Sequence, residues 1–164
     1  MDMKLLITFI SPVLIAAAII ISGCKTTIDY PSGDKYVGEA KDKLREGAGE
    51  YAWKSGDKYV GPYKMGKRDG EGIYTWARGD IFKGTYKENN KDGKGAYTWP
   101  SGDKYEGDFV GGKMNGQGTY TWQSGDQYVG EFKDDKRDGQ GVMKYIDGRT
   151  LQGIWKNNVY QGEK

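Results

Sequence analysis

The chain has no histidine and a single cysteine, Cys24, among its 164 residues. Without histidine, the common catalytic triads and histidine-containing zinc sites cannot form, and one cysteine cannot close a disulfide within the chain. A strong charge of one sign is also missing, because 25 basic and 23 acidic residues alternate rather than cluster. A nucleic-acid-binding protein would carry a basic stripe, so we expect no nucleic-acid partner.

Two further kinds of chemistry are disfavoured by the residues that are present. The segment 134–139 resembles the start of a calcium-binding EF-hand loop, but it places Lys136 at the third ligand position and Tyr145 where the closing glutamate belongs. A carboxylate pair such as Asp57 with Asp80 could hydrolyse a glycoside. Aspartate recurs at this position in five turns, however, which is typical of residues that cap backbone N–H groups. We therefore predict no catalytic activity, no metal and no cofactor.

The only long apolar run lies at the N-terminus. Lys4 is followed by apolar residues 5–21 and then by Ser-Gly-Cys at 22–24, the order expected of a secretory signal. The ending resembles the bacterial lipoprotein box, which implies a signal peptide over residues 1–23 and acylation of Cys24. Two alternatives stay open. The run of about 17 apolar residues is at the lower limit for an uncleaved membrane anchor, and the cysteine could follow an ordinary signal by chance.

Residues 24–32 are predicted to form a short tether between this lipid anchor and the rest of the chain. Fully extended, the eight residues after the cysteine reach only about 28 Å, so the following domain is expected close to the membrane surface. Lys25 stands where an inner-membrane retention signal would carry aspartate. The resemblance therefore implies the periplasmic side of the outer membrane if the source is Gram-negative.

Residues 33–164 follow a frame of 23 residues that contains no insertion. Its first glycines are Gly33, Gly56, Gly79, Gly102, Gly125 and Gly148, and glycines five, 14 and 16 residues later bring 23 of the 27 glycines into register. Self-similarity at this period is typical of stacked repeats that bury apolar surface against their neighbours. The frame predicts five full repeats, starting at 33, 56, 79, 102 and 125, and a truncated repeat from 148.

Each repeat alternates apolar and polar residues like a pair of strands. In the fourth repeat, Tyr105 and Phe109 alternate with charged residues, and after a polar link Tyr120 and Trp122 alternate with threonine. A period of two is typical of half-buried strands, so each repeat is predicted to be a β-hairpin. We predict that the rings share one face with the glycines at five, 14 and 16 residues, and that they lean over these missing side chains.

The segment GDKYEGDFVGGKMNGQGTYTW at 102–122 resembles the MORN repeat, with its Tyr-x-Gly-x-aromatic pattern, basic loop and Gly-x-Gly. The resemblance extends from residue 33 to about residue 162. It implies an all-β protein, built as one elongated antiparallel sheet of consecutive hairpins with an aromatic groove. The first and last repeats depart from the pattern, with Ala40 and Leu151 at ring positions and no second strand expected in the last, and are predicted to be caps.

Part of the aromatic face is predicted to remain accessible, because a single sheet has no second layer to cover it. An exposed aromatic patch is typical of a partner site, whereas the alternative interpretation makes these rings core and nothing more. The candidate groove consists of Tyr74, Trp76, Tyr86, Tyr97, Trp99, Tyr105, Phe109, Tyr120 and Trp122.

Basic loop residues are predicted to lie along one edge of the sheet. They could contact anionic lipid head groups, or form a solvated edge that prevents aggregation, with neighbouring aspartates offsetting their charge. The candidate lipid-facing edge consists of Lys67, Arg68, Lys91, Lys113, Lys136 and Arg137.

The leading functional hypothesis is a non-catalytic, membrane-anchored repeat scaffold that binds an envelope protein or peptide in its aromatic groove. A membrane-surface module that binds phospholipid head groups is the first alternative. A binder or hydrolase of envelope glycans, which would use ring stacking and carboxylates, is the second.

Overall fold

The computed structural model describes residues 25–163, which form a single antiparallel sheet of 14 strands. The all-β prediction is confirmed. The strands are β1 (Thr26–Asp29), β2 (Lys35–Lys41), β3 (Leu44–Ala52), β4 (Lys58–Lys64), β5 (Lys67–Arg68), β6 (Gly70–Thr75), β7 (Ile81–Lys87), β8 (Asn90–Thr98), β9 (Lys104–Val110), β10 (Lys113–Thr121), β11 (Gln127–Lys133), β12 (Lys136–Lys144), β13 (Thr150–Lys156) and β14 (Val159–Gly162).

The strands pair in chain order across the sheet, apart from the two-residue β5, which pairs with β4 beside β6. Two kinds of turn alternate along its two edges. Hairpin tips have positive φ at both central residues, for example Glu88 (47°) and Asn89 (74°), as type I′ turns require. The turns at the opposite edge are closed by paired backbone hydrogen bonds, such as Trp99 N–H to the Asp103 carbonyl at 3.0 Å. This edge begins and ends each 23-residue frame.

Large rings cover the glycines of their own hairpin, as predicted. In the fourth repeat Gly107 pairs with Gly118 and Tyr105 pairs with Tyr120. The Tyr105 ring lies across the two glycines, and a Cβ placed on Gly118 would be 2.5 Å from Tyr105 Cε2. The Tyr105 hydroxyl then donates to the Asp108 carbonyl at 3.0 Å, and the side chain is fully buried. The glycines therefore provide the space in which the core of a one-layer sheet is built.

The glycines 14 residues into the frame were predicted on the ring face, and this prediction is wrong. Gly116 has a φ of 100°, and a Cβ at this position would lie 3.0 Å from the Asp108 side chain on the opposite face. The pairing of β9 with β10 shifts register between Met114 and Gly118, so β10 contains a β-bulge. Only glycine adopts this backbone conformation readily, and the extra residues of the bulge reverse the face.

The predicted tether is shorter than expected, because Thr26–Asp29 forms strand β1 and pairs with β2. The Tyr30 ring continues this strand and packs 5.5 Å from the Tyr51 ring. Residues 26–33 are thus the second half of an incomplete repeat. The last repeat also differs from the prediction, since it does have a second strand, β14, of four residues. The predicted signal segment and Cys24 lie outside the described residues.

Candidate functional site

A row of tyrosine and tryptophan rings runs along one side of the aromatic face. Successive ring centroids lie 4.4–5.3 Å apart from Tyr51 to Trp122, always tilted by 37–49°. We call this row the Tyr–Trp ladder; its members are Tyr51, Trp53, Tyr74, Trp76, Tyr97, Trp99, Tyr120 and Trp122. The four tryptophans and Tyr120 are half-buried, so this ladder presents ring surface to solvent.

A second row lies nearer the hairpin tips and is closed to solvent. Its rings meet edge to face, with centroids 5.0–5.5 Å apart. We call it the buried ladder; its members are Tyr36, Tyr59, Tyr63, Phe82, Tyr86, Tyr105, Phe109, Tyr128, Phe132 and Trp155. Three predicted groove residues, Tyr86, Tyr105 and Phe109, belong to it with 0–3% of their surface exposed. They support the groove from below rather than line it.

Four cationic side chains lie between the two ladders and contact both. The Arg68 guanidinium is 5.3 Å from the Tyr74 ring centroid and 5.0 Å from that of Tyr86. We call these residues the cation row; its members are Arg45, Arg68, Lys91 and Arg137, spaced by one, one and two frames. Cations over aromatic faces contribute about 0.5–2 kcal/mol each. The groove therefore has the Tyr–Trp ladder along one side and the cation row along its floor.

The structure places the residues of the predicted basic edge in two different regions. Lys67, Lys113 and Lys136 are exposed at the hairpin tips, as expected. The other three predicted edge residues belong to the cation row, because each directly opposes a ring of the buried ladder, as Arg137 opposes Phe132. Neighbouring strand residues point to opposite faces, which separates Lys136 from Arg137. Arg45 was not predicted, although its place in the 23-residue frame, shared with Arg68, would have revealed it.

The cation row is held by contacts with rings and carbonyl groups rather than by ion pairs. Within residues 25–163, none of its four side chains forms an ion pair, whereas seven other basic residues do. The guanidiniums instead donate to carbonyls of the next hairpin tip, Arg68 to Asn89 at 2.9 Å and Arg137 to Asn158 at 3.0 Å. Burial lowers the pKa of Lys91 and that of Arg137 from their ordinary values. Charge in this groove is thus partly desolvated, and Asp135 partly offsets that of Lys91 without forming an ion pair with it.

The same notch occurs twice in the groove, three repeats apart. One, of 290 Å³, lies between Arg45 and Arg68 beside Trp53, and the Tyr63 hydroxyl next to it is buried without a hydrogen-bond partner among residues 25–163. The other, of 400 Å³, is lined by the corresponding residues of later repeats, including Arg137. Each notch is open to solvent and can take a small polar group.

The repeated aspartates are used structurally, as predicted from their recurrence. Asp57 accepts the Ala77 N–H at 2.9 Å and the Tyr74 hydroxyl at 3.0 Å. The corresponding Asp80 faces Pro100, which has no N–H, and binds Arg78 and Tyr97 instead at 2.6 and 2.7 Å.

Burial alone would raise the pKa of Asp80, but its hydrogen bonds from Tyr97 and Arg78 outweigh this and hold that pKa below its ordinary value. The Asp57–Asp80 pair considered for catalysis therefore holds adjacent turns in place.

The opposite face of the sheet carries a shallow groove of 520 Å³ along a line of paired glycines. Its walls mix acidic and basic residues, such as Glu71, Lys83, Lys94 and Glu106, so it favours no single charge. Within residues 25–163, no helix is long and apolar enough to cross a membrane, and no cluster of acidic side chains has the arrangement of a metal site.

Comparison with known proteins identifies the repeat. The family model described as the MORN repeat matches five consecutive segments, residues 36–58, 59–81, 82–104, 105–127 and 128–148. No curated protein matches the chain in sequence. Among solved structures, the chain is similar to the TCP domain of SAS-4 (dCPAP) of Drosophila melanogaster in complex with a proline-rich motif of Ana2 (dSTIL). The TM-score is 0.46 at 14% identity, covering 80% of this chain and 90% of that one.

Proposed function

Because the chain belongs to the MORN-repeat family, we propose that it is a non-catalytic scaffold, anchored to the membrane by a lipid on Cys24, whose aromatic groove binds an extended partner segment at the bacterial cell envelope. The observation that carries this proposal is the Tyr–Trp ladder, with its half-buried tryptophans, beside a cation row that forms no ion pair within residues 25–163. Aromatic and arginine side chains dominate the energetics of protein interfaces. The repeated carboxylates, which catalysis would need, are already bound in turns.

Site-specific photo-crosslinking in whole cells tests the groove. A benzoylphenylalanine in place of Trp99 lies in the Tyr–Trp ladder, whereas the same residue in place of Ala96, three positions away, lies on the opposite face. We expect adducts of defined mass from the Trp99 position and none of these from the Ala96 position. The same adducts from both positions, or none from Trp99 in a folded protein, would contradict the proposal.

Replacement of the predicted acylation site tests the anchor. If Cys24 carries the lipid, Cys24→Ser is expected to accumulate as a precursor that is neither cleaved nor acylated, because the peptidase cuts only before a modified cysteine. Incorporation of labelled fatty acid and the intact mass of the product measure both steps. Fatty acid that still enters the Cys24→Ser protein would refute the assignment, and a mass that matches cleavage elsewhere would favour an ordinary signal peptide.

The hairpin tips offer a second candidate function, contact with phospholipid. Four apolar residues are strongly exposed at this edge, Leu44 (50%), Met65 (69%), Val110 (56%) and Val159 (60%). Met65 and Val110 lie close to Lys67 and Lys113. Such a mixture is typical of surfaces that lie on a membrane. The lysines are engaged in ion pairs, however, Lys67 with Glu88 and Lys113 with Asp134, which offset their charge. The groove is therefore the better-supported surface.

A further inference from the structure

The positions of the cation row are set by the repeat, which gives the groove a regular charge spacing. Each frame adds one hairpin, so equivalent side chains of adjacent repeats are two strands apart, or about 9.5 Å. Arg45, Arg68 and Lys91 occupy three consecutive frames, and Arg137 follows after one interruption. A ligand that runs across the strands along the groove would meet a positive group at each of these intervals.

A polyproline II segment matches this spacing. It rises about 3.1 Å per residue and has three residues per turn, so residues three apart lie on one side about 9.3 Å from each other. Aromatic grooves are also the surfaces that such segments bind, because the preformed helix loses little entropy. Carboxylates at every third position would therefore reach successive members of the cation row, while the residues between them pack against the Tyr–Trp ladder.

We infer that the groove recognises an acidic polyproline II segment of a partner protein, with carboxylates three residues apart that pair with Arg45, Arg68 and Lys91, an apolar residue opposite Met114, and a further carboxylate opposite Arg137. This partner class presupposes that the groove binds a protein segment, as proposed above. The carboxylates of such a segment would form the ion pairs that the cation row lacks within residues 25–163. A carboxylate beside Arg45 and Arg68 would also offer an acceptor near the Tyr63 hydroxyl.

The interruption at Met114 fixes the register of the segment. Met114 occupies the frame position of Arg68 and Arg137, and Asp135 occupies that of Asn89 and Asn158. The Asp135 carboxylate accepts the Met114 N–H at 2.8 Å and lines the adjacent notch. A ligand carboxylate would be repelled here, so the fourth contact position of the segment must be apolar or basic.

A lipid surface fits these cations poorly. Their charged groups lie 4.4–5.9 Å from ring centroids on the floor of the groove, whereas a flat layer of head groups would contact exposed lysines at the hairpin tips. The two notches, of 290 and 400 Å³, are also separate concave sites, which a planar layer of head groups would not fill. The experiment must therefore distinguish lipid binding from peptide binding by the cation row.

The test measures binding of synthetic peptides to the full chain in uncharged detergent by fluorescence anisotropy. The probe is a proline-rich peptide with glutamate at every third position except the fourth contact, which is leucine. Its matched controls are the same peptide with glutamine for glutamate, and one of identical composition with the glutamates placed next to each other. We expect the probe to bind at least about tenfold more tightly than either control, and its affinity to fall with salt.

Paired variants locate the contact. Arg68→Gln with Lys91→Met keeps most of the apolar side-chain volume over the rings but removes two charges, and should lower the affinity of the probe about tenfold or more. Lys67→Gln with Lys113→Met removes an equal number of positive charges, but at the hairpin tips, and should leave the affinity for the probe unchanged. Circular dichroism and thermal melting confirm that both proteins are folded.

A gain-of-function variant tests the register. Met114→Arg with Asp135→Asn installs the arginine–asparagine pair that the sheet already contains at Arg68 with Asn89 and at Arg137 with Asn158. The variant should reverse the preference at the fourth contact, binding a peptide with glutamate there more tightly than the one with leucine. An unchanged preference would overturn the proposed register.

Other outcomes separate this inference from the proposed function. Equal affinity for the glutamate and glutamine peptides, together with groove crosslinks in cells, would show that the ligand needs no carboxylates, although the groove is a binding site. If groove crosslinks are also absent, both proposals fail. Binding to vesicles containing phosphatidylglycerol, lost in the Lys67 and Lys113 variant and accompanied by no peptide binding, would assign the protein to the lipid surface instead.

Discussion

Raising the pH above about 10 is expected to unfold the sheet within a narrow range, because tyrosines that must stay neutral form its core. Burial raises the pKa of Tyr36 and of Tyr128 to about 12, and burial raises the pKa values of Tyr59 and Tyr105 further still. In the unfolded chain these phenols ionise near 10.0. The folded state thus holds protons that the unfolded state releases, so stability is complete below pH 10.0 and declines as pH rises through the folded pKa values.

The size of the effect follows from the number of rings involved. One pH unit above the unfolded pKa, each fully buried tyrosine costs roughly 1.4 kcal/mol of folding free energy, or about 5 kcal/mol for these four together. Native domains are stable by only about 5–15 kcal/mol. Burial also raises the pKa values of six further tyrosines, which act in the same direction: Tyr51, Tyr63, Tyr74, Tyr86, Tyr97 and Tyr120.

Tyrosinate absorbance and far-ultraviolet circular dichroism, followed together against pH, measure this transition. We expect the phenols to ionise in the same step in which the β signal is lost. The matched control is Tyr59→Phe, since the third repeat already carries Phe82 at this position. It should move the midpoint to higher pH. Gradual ionisation near pH 10.0 with an intact β signal would show that these rings are accessible to solvent, contrary to their burial.

Gly118→Val is expected to lower the stability of the sheet by about 2–4 kcal/mol, which corresponds to a fall in Tm of roughly 5–15 °C. A Cβ at this position lies 2.5 Å from Tyr105 Cε2 and from its hydroxyl oxygen, and the ring must move to make room. Its movement is opposed by edge-to-face contacts with Phe109 at 5.2 Å and with Phe132 at 5.0 Å. Displacement of the ring would also weaken the hydrogen bond from the Tyr105 hydroxyl to the Asp108 carbonyl, which contributes about 1 kcal/mol.

The control is the next residue along the strand. Thr119 is half-buried on the opposite face and pairs with Val129, so Thr119→Val keeps a β-branched side chain at this position and replaces only a hydroxyl with a methyl group. We expect its melting temperature to stay close to that of the unchanged protein. Equal melting temperatures for Gly118→Val and Thr119→Val would mean that the two faces have been assigned wrongly, and the groove with them.

Strand order and the ring face could be predicted from the sequence because both depend on a period of two repeated in a fixed frame. Tyr105 and Phe109 show this pattern without help from distant residues. The bulge at Gly116 could not be predicted in this way, because alternation counts residues and a bulge adds residues that do not alternate. Strand β1 was missed because residues 24–32 were assigned to a tether, although Pro31 and Ser32 precede Gly33 just as Pro100 and Ser101 precede Gly102.

The candidate site was predicted less well than the fold. Sequence pattern places rings on a face, but it does not show which of two rows on that face is enclosed by the other. Arg68, Lys91 and Arg137 were assigned to the loop edge and not to the groove, because basic residues next to hairpin tips are usually solvated. Direct pairing of Arg68 with Tyr63 places it over the rings instead, and this pairing depends on the register within the bulged hairpin.

Pairing in chain order also bears on how the protein folds. Every strand pairs with strands that are close to it along the chain, so no segment depends for its pairing on a partner that is synthesised much later. Contacts of this kind give a low contact order, and low contact order is associated with fast folding. A nucleus could form in any hairpin and spread in both directions, as in other linear arrays. The sheet can therefore lengthen or shorten by whole 23-residue repeats, and the contacts between the remaining repeats would be unchanged.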